Sequence, residues 1–209
     1  MKPELNDREI RTFTLDEKSF ESREDGTRRI VGHAAVFNQW SEDLGGFREQ
    51  IAPGAFAEAI NADDVRALFN HDTNQVLGRN RSKTLTLLED SRGLMSEIIL
   101  PDTQLARDLE ALMKRGDINQ MSFAFHVNKE DQTWKKAGEE PWERTITKVS
   151  RLYDVSVVTF PAYPQTDAAI REMRALEDAA AQEKRGISQQ HSIAARVQAA
   201  RLRLVLNGL

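Results

Sequence analysis

Gly116-Asp117-Ile118-Asn119-Gln120-Met121-Ser122-Phe123-Ala124-Phe125-His126 is the stretch on which the fold depends. Gly116 reads as a helix stop. From Ser122 to Val127 the residues alternate with period two, which predicts a strand with one buried face. Phe123, Phe125 and Val127 point one way; Ser122, Ala124 and His126 point the other. A small hydroxyl at the head of such a strand has two uses, as a nucleophile or as packing filler. Residue type alone leaves both open.

Working outward, Pro101-Asp102-Thr103 starts the helix that Gly116 ends, with Asp102 or Thr103 as its cap. Leu105, Leu109 and Leu112 or Met113 form its apolar stripe, and Lys114 and Arg115 suit its C-terminus. Residues 84–88 and 93–100 read as a hairpin joined through Glu89-Asp90-Ser91-Arg92. Residues 65–69 predict a strand that delivers Asn70-His71-Asp72 at its end, where anchored loops commonly carry catalytic side chains. Gln75 to Arg79 reads as another short strand and turn. Nearer the N-terminus, strands are expected at 8–15 and 29–37, with a turn at Asp25-Gly26. His33 falls mid-strand and reads as a half-buried strand histidine. A loop is expected over 38–49, around Gly45-Gly46, then a short helix over 52–60 with Pro53 in its first turn. Downstream, 131–140 reads as a polar hairpin loop and 142–149 as a strand. Residues 152–160, rich in β-branched side chains, form a last strand that Pro161 stops.

From Thr166 the composition changes. Residues 167–184 are rich in Ala, Glu and Arg, and 188–206 repeat a helical pattern. Residues 186–209 carry Arg196, Arg201 and Arg203 and no acid, a local charge of +3 within a chain of net charge -4. A basic amphipathic helix docks on an acidic partner or a membrane surface, or is simply a solvated tail. The expected organisation is a body over 1–165 and a helical tail over 166–209. Seven or more short strands with two inserted helices argue a β-rich barrel or sandwich with peripheral helices.

The bulk properties narrow the function. The chain has 209 residues, 40% hydrophobic and 30% charged, enough for one domain with a core plus appendages. A net charge of -4 creates no field that attracts nucleic acid. No run approaches the roughly 18 apolar residues of a membrane span. The first residues lack the apolar core of a signal peptide. Cysteine is absent, which excludes disulfides, thiolate zinc sites and cysteine nucleophiles.

Without cysteine, covalent catalysis falls to Ser, Thr, Lys or a carboxylate. A serine needs a base within hydrogen-bond reach and a group that orients the base. Strand ends offer His71 and Ser122, 51 residues apart, and Asp154 a further 32 on. His126 is the weaker base, since four residues along a strand span about 13 Å. Competing chemistries have less in their favour. His71, Asp72 and His126 are the only candidates for a metallohydrolase, and no H-E-x-x-H pairing exists. P-loop, GxGxxG and GxSxG patterns are absent. Neither a metal nor a cofactor is expected. A non-catalytic assembly module, in which Ser122 fills space, is the rival reading.

Five blocks, in order, carry a resemblance. They are Gly32-His33-Ala34-Ala35-Val36-Phe37; Ile51-Ala52-Pro53-Gly54-Ala55-Phe56; Phe69-Asn70-His71-Asp72 with Val76-Leu77-Gly78-Arg79; the Gly116–Phe125 stretch; and Leu152-Tyr153-Asp154-Val155-Ser156-Val157-Val158-Thr159-Phe160-Pro161-Ala162-Tyr163-Pro164. Over residues 8–165 the chain resembles the prohead, or capsid maturation, proteases of tailed bacteriophages. The resemblance implies a fold related to herpesvirus assemblin: a β-rich α+β domain built as a closed β-barrel of about seven strands ringed by helices, here followed by the helical tail. It implies a serine endopeptidase acting inside the assembling procapsid in the host bacterial cytoplasm. Its substrates would be the scaffold, or the scaffolding domain of the major capsid protein precursor, and the protease itself. The portal and a second copy of the chain are further candidate partners; nucleic acid and membrane are not. The family's histidine falls on His71, its nucleophile on Ser122 and its acidic third member on Asp154. The oxyanion donors are sought in the Gly78-Arg79 turn and the loop before Ser122. The tail 167–209 would recruit the protease to the capsid precursor or be removed by autolysis.

Overall fold

The computed structural model describes residues 8–15, 19–22, 26–136, 138, 140–160, 169–182 and 185. The chain divides into two units, Met1–Ala168 and Ala169–Leu209. In the second, residues 169–182 are helical. The helical pattern over 188–206 and the basic charge of 186–209 lie outside the described residues.

The first unit carries three sheets. One has five strands in the order β1 (Glu9–Thr14), β9 (Gln120–His126), β12 (Arg151–Val158), β5 (Arg66–Phe69) and β6 (Asp72–Arg79). The second has four: β2 (Phe20–Ser22), β3 (Arg28–Val36), β8 (Gly93–Ile99) and β7 (Leu85–Glu89). The third has three: β10 (Gln132–Lys135), β11 (Trp142–Ile146) and β4 (Phe47–Ile51). Among the described residues, the helices of this unit are α1 (Ala59–Ala62) and α2 (Gln104–Arg115).

The closed barrel of about seven strands implied by the resemblance does not form. The sheets are open, and two helices do not ring them. Closure needs a hydrogen-bonded ladder between edge strands. The natural place for one is between β6 and β7, which are consecutive in the chain. Their connection, however, is the 3-10 turn Asn80–Ser82, which ends on Lys83 at φ 61°. Thr84 and Arg79 close the turn on each other, Thr84 N donating to Arg79 O at 3.2 Å and Arg79 N to the Thr84 hydroxyl at 2.9 Å, while the Thr84 carbonyl accepts from Ile99 N of β8 at 2.9 Å. The strands come together only locally: a Cβ on Gly78 would lie 2.8 Å from the Thr84 carbonyl oxygen. At the other edge, β1 stays on β9 to its end, where Leu15 N donates to Asn119 O at 2.8 Å.

Strand β9 is the centre of the core, and it is buried on both faces rather than one. Met121, Phe123 and Phe125 are fully buried on one side, Ser122 and Ala124 on the other. Phe123 stacks on Phe125 with ring centroids 4.7 Å apart and takes Phe56 edge-on at 5.4 Å. Burying each such side chain stabilises the fold by roughly 1.5–3 kcal/mol. Helix α2 follows its sequence signals: Thr103 caps it through Ala106 N at 3.3 Å, and Gly116 ends it at φ 82°. Asp102, the other candidate cap, instead accepts from Arg28 at 2.8 Å and Arg107 at 2.7 Å. The helix expected over 52–60 is mostly turns, and α1 is a single helical turn beyond them. Gly54, at φ 86°, interrupts the helical run where Pro53 begins it.

Two strands run into expected loops. β4 begins inside the loop expected over 38–49 and pairs in parallel with β11; β10 lies within 131–140 and pairs antiparallel with it. Together they bury a charged cluster against β1. Arg144 of β11 donates to Glu9 at 2.5 and 2.8 Å, to Glu49 at 2.6 Å and to Gln132 at 2.5 Å. Arg11 donates to Glu49 at 2.8 and 2.7 Å and to Glu9 at 3.0 Å. Two cations face two carboxylates, so the cluster is neutral and its polar atoms are bonded, the condition under which buried charge is tolerated.

Candidate active site

Strand register decides which side chains can meet. β12 runs antiparallel to β9, with Ser156 opposite Ser122 and Val155 opposite Phe123. In a regular strand Leu152, Asp154 and Ser156 would share one face. A bulge at Tyr153 changes this: Leu152 pairs with Phe125 but Asp154 pairs with Ala124. The extra residue sends Leu152 into the aromatic core and turns Asp154 to the Ser122 face. On that face, small residues at Ser122, Ala124 and Ser156 leave room for a carboxylate 3% exposed.

His71 arrives from the other side of β12 in the sheet. β5 and β6 are joined by a two-residue turn in which Phe69 pairs with Asp72. Asn70 and His71 form its tip, at φ 53° and 56°. Two successive left-handed residues are the signature of a type I′ hairpin turn. A histidine is strained there, and such strain concentrates at functional sites. The tip is clamped to the end of β12. Asn70 N donates to Val157 O at 2.9 Å, Thr159 N to Asn70 Oδ1 at 2.9 Å, and Asn70 Nδ2 to Thr159 Oγ1 at 3.1 Å.

The three side chains predicted from the sequence form one hydrogen-bonded line. His71 Nδ1 lies 2.6 Å from Asp154 Oδ1, and His71 Nε2 lies 2.8 Å from Ser122 Oγ. The carboxylate fixes the tautomer: Nδ1 carries the hydrogen that Asp154 accepts, which leaves the Nε2 lone pair facing the serine. Asp154 has two further donors. Ser156 Oγ reaches Oδ1 at 2.7 Å and Arg8 Nη2 reaches Oδ2 at 2.5 Å. Arg8 Nη2 also lies 3.3 Å from His71 Nδ1, but both atoms are donors in this tautomer, so that approach is not a bond.

The Ser122 hydroxyl hydrogen has a second acceptor at the same range, the Arg11 carbonyl oxygen of β1 at 2.8 Å. One hydrogen serves one acceptor well, so β1 competes with His71 for it. Ser122 is 0% exposed. No external carbonyl can reach Oγ in this conformation, which is closed at the serine.

Other sequence candidates lie elsewhere. His126, at the far end of β9, contacts Asn128 Oδ1 at 3.2 Å. Asp72 accepts from Asn74 N at 2.8 Å and Asn74 Nδ2 at 3.0 Å within its own turn. No cluster of three or more metal-ligating side chains occurs among the described residues. In the segments proposed for the oxyanion donors, Arg79 N is held by the Thr84 hydroxyl at 2.9 Å and Asp117 N by Leu112 O at 3.0 Å. Sequence reasoning missed Ser156, Arg8 and Asn70. Ser156 had a signal, since it stands two residues from Asp154 on a strand; Arg8 had none.

Comparison with known proteins places this arrangement in a family. Residues 13–180 match the profile of the caudovirus prohead serine proteases. Over 172 residues the chain is 33% identical to the prohead protease of Enterobacteria phage HK97, covering 80% of this chain and 70% of that one. The solved capsid assembly protease of bacteriophage T4 aligns with a TM-score of 0.47 at 12% identity, over 72% of this chain and 96% of that chain. The chain belongs to the caudovirus prohead serine protease family and is a serine protease of bacteriophage capsid maturation.

Proposed function

We propose that Ser122, His71 and Asp154 are the catalytic triad. We further propose that the enzyme cleaves the scaffold, or the scaffolding domain of the major capsid protein precursor, and its own chain, inside the procapsid in the host cytoplasm. The observation that carries this reading is the unbroken line from Asp154 Oδ1 through the His71 ring to Ser122 Oγ, at 2.6 and 2.8 Å. His71 Nε2 takes the Ser122 proton as Oγ bonds to the scissile carbonyl carbon, and returns it to the departing amine. Water then attacks the acyl ester, gives its proton to Nε2, and Ser122 leaves with that proton. Asp154 holds the tautomer throughout and stabilises the imidazolium formed in each half-reaction. Because Ser122 is covered, the segment that carries the Arg11 carbonyl must shift before a substrate carbonyl can approach. That shift also frees the hydroxyl hydrogen for His71.

The test is Ser122→Ala in the full chain, co-expressed with the capsid precursor of the same phage, with product masses read over time. Precursor that assembles but stays uncut is the expected result. Normal processing by the variant would overturn the triad and favour a scaffolding role for this fold.

A further inference from the structure

The Asp154 carboxylate is contested. Its two oxygens receive three donors that come from separate parts of the chain: His71 and Ser156 on Oδ1, Arg8 on Oδ2. The Arg8 bond is the charged one, and charge-assisted hydrogen bonds are about twice as strong as neutral ones. It holds Oδ2, the oxygen that His71 does not use, and leaves the alignment of Oδ1 to the other two donors. Ser156 Oγ lies on the same strand as Asp154, two residues on, and is 0% exposed. The burial and the 2.7 Å distance leave that hydroxyl one direction in which to donate, into Oδ1, the oxygen that serves His71.

We infer that Ser156 is a positioning residue for the proposed Ser122–His71–Asp154 triad. It pins Asp154 Oδ1 against His71 Nδ1, while Arg8 holds Oδ2. This inference rests on the triad reading and adds to it a residue outside the three. Its geometry has a consequence. Ser122 and Ser156 stand opposite each other in the β9–β12 ladder, so nucleophile and positioning hydroxyl are set by one register. A slip of one residue there would remove both from the site face.

A merely structural serine and a positioning serine predict different results. Ser156→Ala removes the donor and leaves a methyl in a small-residue layer. In the positioning reading the carboxylate loses its alignment in the transition state but substrate contacts are untouched. The expected result for the full chain acting on purified capsid precursor is a kcat lower by about tenfold, the worth of one hydrogen bond to a charged group, with KM unchanged. Ser156→Thr keeps the hydroxyl and restores most of that loss. In protein labelled with 15N-histidine, the low-field His71 Nδ1–H proton signal persists in Ser122→Ala and shifts or broadens in Ser156→Ala. A Ser156→Ala enzyme with wild-type kcat overturns the inference. So does a loss that Thr does not restore and that tracks a fall in melting temperature. Ser122→Ala run in parallel separates the two levels: if it cleaves normally, the triad itself fails; if it is dead while Ser156→Ala is fully active, only the positioning role fails.

Discussion

Arg144→Met tests whether the buried cluster on β1 holds this fold together. Methionine keeps an unbranched, flexible apolar stem and removes the charge and its donors. Arg144 makes two bonds to Glu9, one to Glu49 and one to Gln132, all within 2.8 Å. Without it, two carboxylates that are 2% and 3% exposed share the single cation of Arg11. Removing one partner of a buried charged set costs roughly 3–5 kcal/mol, because it strands the other charge. For a chain of this size each kcal/mol moves the melting temperature by about 2–4 °C, so a fall of roughly 6–20 °C is expected at neutral pH. The pH dependence has a definite sign. In the native chain burial pushes the Glu9 carboxyl up, but Arg144 and then Arg11 outweigh it and leave Glu9 below its ordinary 4.5. Its contribution is therefore present above pH 4.5 and is lost as pH falls through the depressed value. In the variant burial has one opponent fewer and the carboxyl rises. Its penalty is then greatest at high pH and is relieved as Glu9 takes up a proton. Thermal unfolding followed by circular dichroism at pH 7.5 and pH 4.5 should give a large gap between wild type and variant at the higher pH and a smaller one at the lower. Adding Glu9→Gln to Arg144→Met removes the stranded charge and should recover part of the loss. A melting temperature within about 2 °C of wild type at pH 7.5, or a gap that does not narrow with acid, would refute the reasoning.

Asp90 should be among the last carboxyls to protonate. The Gly93 N–H, His33 and the Arg92 N–H hold it at about 2 against its ordinary 3.8, so the β7–β8 turn keeps these bonds above pH 3.8 and loses them as pH falls through about 2; a carboxyl 13C titration that puts Asp90 at an ordinary value would contradict this. Gly93→Ala should destabilise by about 2–3 kcal/mol, measured by urea unfolding, because the new Cβ would lie 2.0 Å from the Ala35 carbonyl oxygen and backbone cannot give way there; an unchanged midpoint would show that β3 and β8 can separate.

How much of this was legible in the sequence follows from the range of each signal. The α2 stop at Gly116, the hairpin at 89–92 and the strand at 152–160 are local patterns and fall where expected. The polar strands were not legible. Phe47-Arg48-Glu49, the start of β4, reads as loop because its charged residues look solvated, yet Glu49 is buried against Arg11 and Arg144, which come from distant parts of the chain. Barrel closure was also illegible, since it depends on whether Lys83 takes a left-handed turn and so parts β6 from β7. For the site, strand ends nominated His71, Ser122 and Asp154, but strand periodicity would have placed Asp154 on the core face with Leu152. Only the bulge at Tyr153 turns it to Ser122, and no local residue announces that bulge.

The charged cluster and the site share one strand, and this links stability to chemistry. The side chain of Arg11 is locked between Glu9 and Glu49, while its carbonyl oxygen accepts from Ser122 at 2.8 Å. Arg8, one residue before β1, reaches Asp154. β1 is an edge strand of its sheet, bonded on one side to β9, and an edge strand ordinarily frays first. Here a neutral set of two cations and two carboxylates fixes it to β4 and β11, and with it the Arg11 carbonyl that competes with His71 for the Ser122 hydrogen. In the proposed mechanism, any shift of the Arg11 carbonyl away from Ser122 therefore works against these buried ionic bonds.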